Sequence, residues 1–254
     1  MAEYKWSEIT ATWLREHEVT RAFIASHNLP NHFAEESTFH LAALRAGVEY
    51  VVRISTTAAN VRPDCDAYYP RTHWAIETML SAREFSDLRW TSLQPNVFIP
   101  LYIQPAADLI KRVRNGEQQG TLRLMASADA PVAPIDPDEV GIVAAHLLLQ
   151  EDTTKYNKAK LVLNGPEDIT GNGIVKMVED RIGAKVENVS FKDVSFIEEM
   201  VAQSPGSKNV MLSIKHAPET AWDGLCSAST TSQEVLELAA PKRTPGDVMA
   251  ALLA

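Results

Sequence analysis

Apolar residues in this chain fall into two alternating patterns: short β-branched runs, and longer segments with apolar positions three and four apart. The run VVRISTT, with Val51, Val52, Ile54, Thr56 and Thr57, has the density of a strand buried on both faces. Similar runs predict strands at Val19 to Ala25, Trp90 to Leu93, Leu122 to Met125 and Lys160 to Asn164, the VVRISTT strand itself covering Glu49 to Thr57. Helical spacing predicts helices over 5–17, with Trp6, Ile9, Trp13 and Leu14 inward and Ser7 as a candidate cap, and over 35–46, stopped by Gly47. Further helices are predicted over 69–82 and 104–115 and after Asp136 or Asp138 as N-cap, with Val140, Val143, Ala144 and Leu147 as core and His146 as a packing histidine. The GNG at 171–173 reads as a helix start, Gly183 as its stop, and a strand follows; 193–203 is a helix with Phe196, Ile197 and Met200 inward.

Strand, loop, helix, Gly, strand is a βαβ unit, whose crossover makes the two strands parallel neighbours. Its repetition predicts an α/β fold with a parallel sheet flanked by helices. The division expected is a core over 1–165 and a smaller C-terminal lobe over 166–254, interleaved with it.

A length of 254 residues, with 45% hydrophobic and 22% charged, suits a globular protein. The net charge of -9 argues against a nucleic-acid or anionic-membrane surface. The expected partner is therefore a small molecule, and a homodimer is left open. Cys65 and Cys226 show no metal-ligand spacing, so no metal is expected and a reducing compartment is. Without a leader-like N-terminus or a long apolar stretch, the expected location is cytoplasmic.

Candidate chemistry sits after the VVRISTT strand. In open α/β sheets ligands bind at the carboxyl ends of strands, where Ser55, Thr56 and Thr57 present hydroxyls. Tyr69, His73, Ile76 and Leu80 form one helical stripe, with Pro70 suited to the first turn. A phenol and an imidazole one turn apart form a candidate acid/base pair. The plainer alternative is a half-buried Tyr and a surface His.

The blocks AGVEYVVRIST, YYPRTHWAIE, LRWTSLQPNVF, PIDPDEVGIVAAHLL, LVLNGPEDIT and EVLELAAPKRTP, in this order, resemble the NmrA-like family of atypical short-chain dehydrogenase/reductases, most closely the fungal type. The resemblance implies an incomplete Rossmann-like sheet that holds NADP or NAD, with a small C-terminal substrate lobe. It implies Tyr69, His73 and Thr56 as catalytic residues. Ser26, His27 and Asn28 would border the adenosine side of the cofactor, Ser55, Thr57 and His73 would also touch it, and Pro95, Asn96, Val97 and Phe98 would line the nicotinamide side. The implied function is an NAD(P)H-dependent oxidoreductase acting on a small substrate of secondary-metabolite type. A non-catalytic dinucleotide sensor, or a cofactor-independent isomerase or ligand-binding protein in the same cleft, stays open beside it.

Two departures from the family pattern matter. His73 stands where the family has Lys, whose fixed charge an imidazole of ordinary pKa about 6.5 does not replace at neutral pH. The glycine-rich β-α-β that receives the pyrophosphate is expected to precede residue 1, and the residues here hold nothing like it, so weak NAD(P)H binding is expected.

Overall fold

The computed structural model describes residues 8–202 and 207–254. In chain order its helices and strands are α1 (Ala11–Glu16), β1 (Arg21–Ile24), α2 (His32–Ala46), β2 (Tyr50–Ile54), α3 (Tyr68–Ser81), β3 (Arg89–Pro95), α4 (Ile99–Arg114), β4 (Thr121–Arg123), α5 (Pro137–Leu149), β5 (Ala159–Leu163), α6 (Gly171–Ile182), β6 (Asn188–Ser190), α7 (Phe196–Ala202), α8 (Lys208–Leu212), α9 (Glu219–Trp222), α10 (Gln233–Ala239) and α11 (Pro245–Leu253). Strands β1, β2, β3 and β5 form one sheet in that order, every pair parallel, and β4 pairs with β6 in a second, two-stranded sheet. The fold is α/β, with a parallel sheet flanked by helices.

Successive residues of β2 go to opposite faces and set the two layers. Val51 joins Trp90, Phe39, Ile76 and Leu80 under α2 and α3, while Tyr50 and Val52 join Leu93, Leu161 and the Val140, Val143 and Leu147 stripe of α5. A third apolar cluster holds α4, α6 and α11 together against β4. Strand β1 forms one edge of the sheet, with Phe23 42% exposed. Among the described residues no helix is long and apolar enough to cross a membrane.

Local chemistry places the helix ends. Gly47 and Gly183 close α2 and α6 in the left-handed conformation that glycine adopts without strain. Asp136, not Asp138, caps α5, and Thr170 caps α6 by accepting from the Gly173 N–H. The first helix is shorter than its apolar spacing predicts and is capped by Thr10; Ser7 lies outside the described residues.

Three expectations change. Helix α4 begins at Ile99, five residues before its predicted start, because Pro100 fits a first turn and the helix continues through Pro105. In α7 the inward residues are Ile197 and Val201, packed with Met211 and Tyr68, whereas Phe196 and Met200 lie outward at 42% and 41% exposure. An Ile197 and Val201 stripe, four apart, turns the residue just before each of them away from the core. His146 is exposed on the outer face of α5 and packs in no core.

Candidate functional site

The carboxyl end of β2 runs into Ser55, Thr56 and Thr57, and α3 returns over it from Tyr68. The start of α3 is fixed by extended backbone at Ala67 and by the Tyr68 N–H, which donates to Ser213 Oγ at 3.0 Å. Tyr69 then faces the strand end, with the Thr56 side chain as a polar neighbour that favours the ionised phenol. Burial raises the Tyr69 phenol pKa against the opposing effect of Thr56, so the hydroxyl keeps its proton at neutral pH. One turn on, the His73 ring meets the Tyr69 ring edge to face, with centroids 6.4 Å apart.

His73 is buried, contrary to its reading as a surface residue. Its Nδ1 lies 2.8 Å from Arg53 Nη2 and its Nε2 3.4 Å from Asn28 Oδ1. Burial first, then the Arg53 charge, then His32 hold the His73 pKa well below its ordinary value. The ring is neutral and supplies none of the positive charge that a Lys would bring. A Lys side chain at this position would press an ammonium toward the Arg53 guanidinium.

Arg53 is the centre of a buried polar layer that sequence reasoning missed. Its Nε donates to Glu36 Oε1 at 2.5 Å, and its Nη1 donates to Ser92 Oγ at 2.9 Å and lies 3.6 Å from Glu77 Oε1. Glu36 on α2 also meets His32 Nε2 at 2.5 Å and His40 Nε2 at 3.2 Å. Glu77 on α3 accepts from Ser92 Oγ at 2.7 Å and Gln94 Nε2 at 3.1 Å, and pairs with Lys160 Nζ at 3.1 Å. Two cations thus face two carboxylates across α2, β2, β3, α3 and β5, and the charges balance. Burial alone would raise the Glu36 pKa, but Arg53 and the two histidines hold it well below the carboxylate range. A signal was present in the sequence: Arg53 interrupts a β-branched run, and Glu77 stands four residues after His73 on the same helical face.

The remaining residues implied by the resemblance are distributed unevenly. Asn28 joins His73, while His27 is taken up by Glu35, 2.6 Å from its Nε2. Ser26 Oγ and Ser55 Oγ are buried without a hydrogen-bond partner. Asn96 Nδ2 donates to the carbonyls of Ala133 and Cys226 and to Asn164 Oδ1, while its Oδ1 accepts from the Val97 N–H, so its side chain is fully used within the protein. Pro95 ends β3, and Phe98 is 37% exposed where α4 begins. Thr57 and Asn96 share a cavity of about 60 Å³ with Gln94, Asn164, Cys226 and Thr230. That space holds about two waters and is too small for a ring-sized ligand as it stands. A larger groove of about 770 Å³ lies elsewhere, between α4, β4 and the start of α7, and none of the implied site residues lines it.

Neither a metal nor a phosphate cradle fits the residues at the strand ends. His32, Glu36 and His73 have potential ligand atoms within 4.8 Å of one another. Arg53 already occupies Glu36 Oε1 and His73 Nδ1, and an ion on His73 Nε2 would require a proton on Nδ1, facing the Arg53 N–H. The Gly171 turn is a packing feature: a Cβ there would collide with the Ser127 carbonyl and the Phe191 ring. The described residues lack a glycine turn for a pyrophosphate.

No family model and no curated protein matches the sequence. Solved structures do match. An NADPH-dependent quinone oxidoreductase from Escherichia coli, complexed with NADPH, superposes with a TM-score of 0.73 at 14% identity, over 99% of this chain and 83% of that one. This chain has the same fold. A Citrobacter triphenylmethane reductase complexed with NADP(H) gives 0.70 at 15% identity, over 98% and 82% of the two chains. A nucleoside-diphosphate-sugar epimerase from Staphylococcus aureus gives 0.67 at 12%, over 96% and 81%.

Proposed function

We propose that this chain is an NAD(P)H-linked oxidoreductase of the NmrA-like type, reducing a small organic acceptor at the carboxyl ends of β2 and β3. The observation that carries this reading is the Tyr69 hydroxyl, protonated and beside Thr56 where β2 ends, on a fold shared with reductases solved with NADPH or NADP(H). The cofactor, when bound, supplies a hydride. Tyr69 supplies the proton to the acceptor oxygen or carbon, and Thr56 orients the phenol. His73 donates its Nε2 hydrogen to a hydroxyl of the ribose or the substrate. Ser26 and Ser55, after β1 and β2, carry two buried hydroxyls without a partner, and Asn28 lies beside the His73 ring. Quinones are the first acceptors to test, since one of the matching structures is a quinone oxidoreductase.

A second reading is favoured by one observation. His73 is neutral and bonded to Arg53, so Tyr69 has no cation beneath it to assist proton transfer, which suits a protein that binds a dinucleotide as a sensor without turning over. Calorimetry and turnover separate the two. NADPH binding with oxidation of NADPH by a quinone supports the enzyme; binding without oxidation by any acceptor supports the sensor. No binding of NADPH or NADH leaves neither standing.

A further inference from the structure

We propose that Arg53 is a positioning residue that fixes His73 as the Nε2–H tautomer, so that His73 serves the site as a hydrogen-bond donor to a ligand oxygen and never as a proton acceptor or a cation. A guanidinium has only donors. At 2.8 Å from Arg53 Nη2, the His73 Nδ1 must therefore accept, and the single ring proton is left on Nε2. That proton points at Asn28 Oδ1 across 3.4 Å, longer than a well-formed bond of about 2.7–3.2 Å. Asn28 sits in the exposed loop after β1, so a ligand hydroxyl, carbonyl or phosphate oxygen can replace its carbonyl at little cost.

The surroundings hold Arg53 in the one orientation that does this. Its other nitrogens are fixed by Glu36 from α2, by Ser92 from β3 and by Glu77 from α3, and Glu77 is itself held by Gln94 and Lys160. The titratable groups facing His73 are Arg53 from β2, His32 and Glu36 from α2, and Tyr69 from its own helix, with His27 and its Glu35 beyond His32. His32 presents its ring edge to His73 at 4.7 Å between centroids and spends its Nε2 on Glu36, so it makes no competing bond. The arrangement makes the site selective for oxygen acceptors at this point. A ligand group that can only donate, such as an ammonium, would face the His73 N–H unpaired.

The use of that donor in catalysis rests on the oxidoreductase reading; the tautomer does not, and the test separates them. Two-bond proton–nitrogen correlation spectra of the full chain, labelled with ¹⁵N-histidine, report the state of each ring nitrogen, and the spectrum of His73→Asn assigns the His73 signals. The expected result is an unprotonated Nδ1 and a protonated Nε2 that stay unchanged from pH 8 down to pH 6. A protonated Nδ1, or an imidazolium anywhere in that range, overturns the proposal. In Arg53→Met the His73 signals should lose the fixed tautomer and move toward a mixture of the two, and the ring's titration should shift upward, with burial still holding it below the ordinary value. An Arg53→Met spectrum identical to wild type also overturns it. Should that variant not fold, the wild-type spectrum decides alone. Addition of NADPH should shift the Nε2–H resonance; the expected tautomer with no NADPH response upholds the role of Arg53 and counts against the oxidoreductase reading.

Discussion

Lowering the pH from 7.5 to 5.5 should destabilise the folded chain through two buried histidines. Burial holds the His40 pKa below its ordinary value, and burial with Arg53 holds that of His73 well below it. In the unfolded chain both return to about 6.5. Below that value the unfolded state binds protons that the folded state refuses, so stability is full above about pH 6.5 and falls as the pH drops. At pH 5.5 an unfolded histidine of pKa 6.5 gains about 1.4 kcal/mol from protonation. Each ring contributes at most this much, for a total of up to about 2.7 kcal/mol. Glu36, whose folded pKa is depressed, adds its own loss only below about pH 4.5, outside this window. Urea unfolding at each pH, followed by far-UV circular dichroism and tryptophan fluorescence, measures the change, and the double variant His40→Asn/His73→Asn should remove most of it. A wild-type unfolding free energy equal at the two pH values, within the about 10–15% error of extrapolation, would refute the argument that both rings are buried neutral.

Arg53→Met should cost about 3–5 kcal/mol in urea unfolding at pH 7.5, because it leaves Glu36 buried without its cation and Glu77 without one of its two. The pH slope of that variant between 7.5 and 5.5 should be shallower than wild type, since a histidine then protonates to neutralise Glu36. His73→Lys installs the residue that the resemblance implies, yet its expected effect is loss of stability, up to the about 4 kcal/mol that two unit charges 4 Å apart exchange at an effective dielectric of 20; thermal melts check it, and unchanged stability with raised turnover would contradict the placement of Arg53. Calorimetric titration with NADPH and NADH should give binding weaker than micromolar, less than about 8 kcal/mol, because the described residues offer no glycine turn to a pyrophosphate. Micromolar or tighter binding would mean that another element supplies those donors.

The sheet was legible because β-branched runs and helical stripes mark elements locally. Val51, Val52 and Ile54 announce a buried strand, and Gly47 and Gly183 announce helix ends by the backbone they adopt. The stripe from Tyr69 to Leu80 correctly put Tyr69 and His73 on one face. What pairs with that face was not legible. Arg53, Glu36 and Glu77 are distant in sequence and become partners only when α2 and α3 pack on the same side of the sheet, so the position of Arg53 in a buried run and of Glu77 on the His73 face marks each as unusual without naming its partner. Reading Phe196 and Met200 as inward failed for a related reason. Apolar spacing over seven residues fits two adjacent stripes, and the neighbouring Tyr68 and Met211 decide between them. Asn96 illustrates the limit of position-by-position transfer: it lies near the strand ends as implied, yet its side chain is consumed by Ala133, Asn164 and Cys226.

The most direct test of the account is quinone-dependent oxidation of NADPH by the purified chain, wild type against Tyr69→Phe, with NADPH raised to saturation. Tyr69→Phe deletes only one hydroxyl, beside Thr56, so folding should change by about 1 kcal/mol or less. The account predicts measurable wild-type turnover that falls by roughly 10²-fold or more in the variant, with the melting curve nearly unchanged. Turnover that survives the loss of the Tyr69 hydroxyl, or NADPH left unoxidised by quinones and other small acceptors at any concentration, would contradict it.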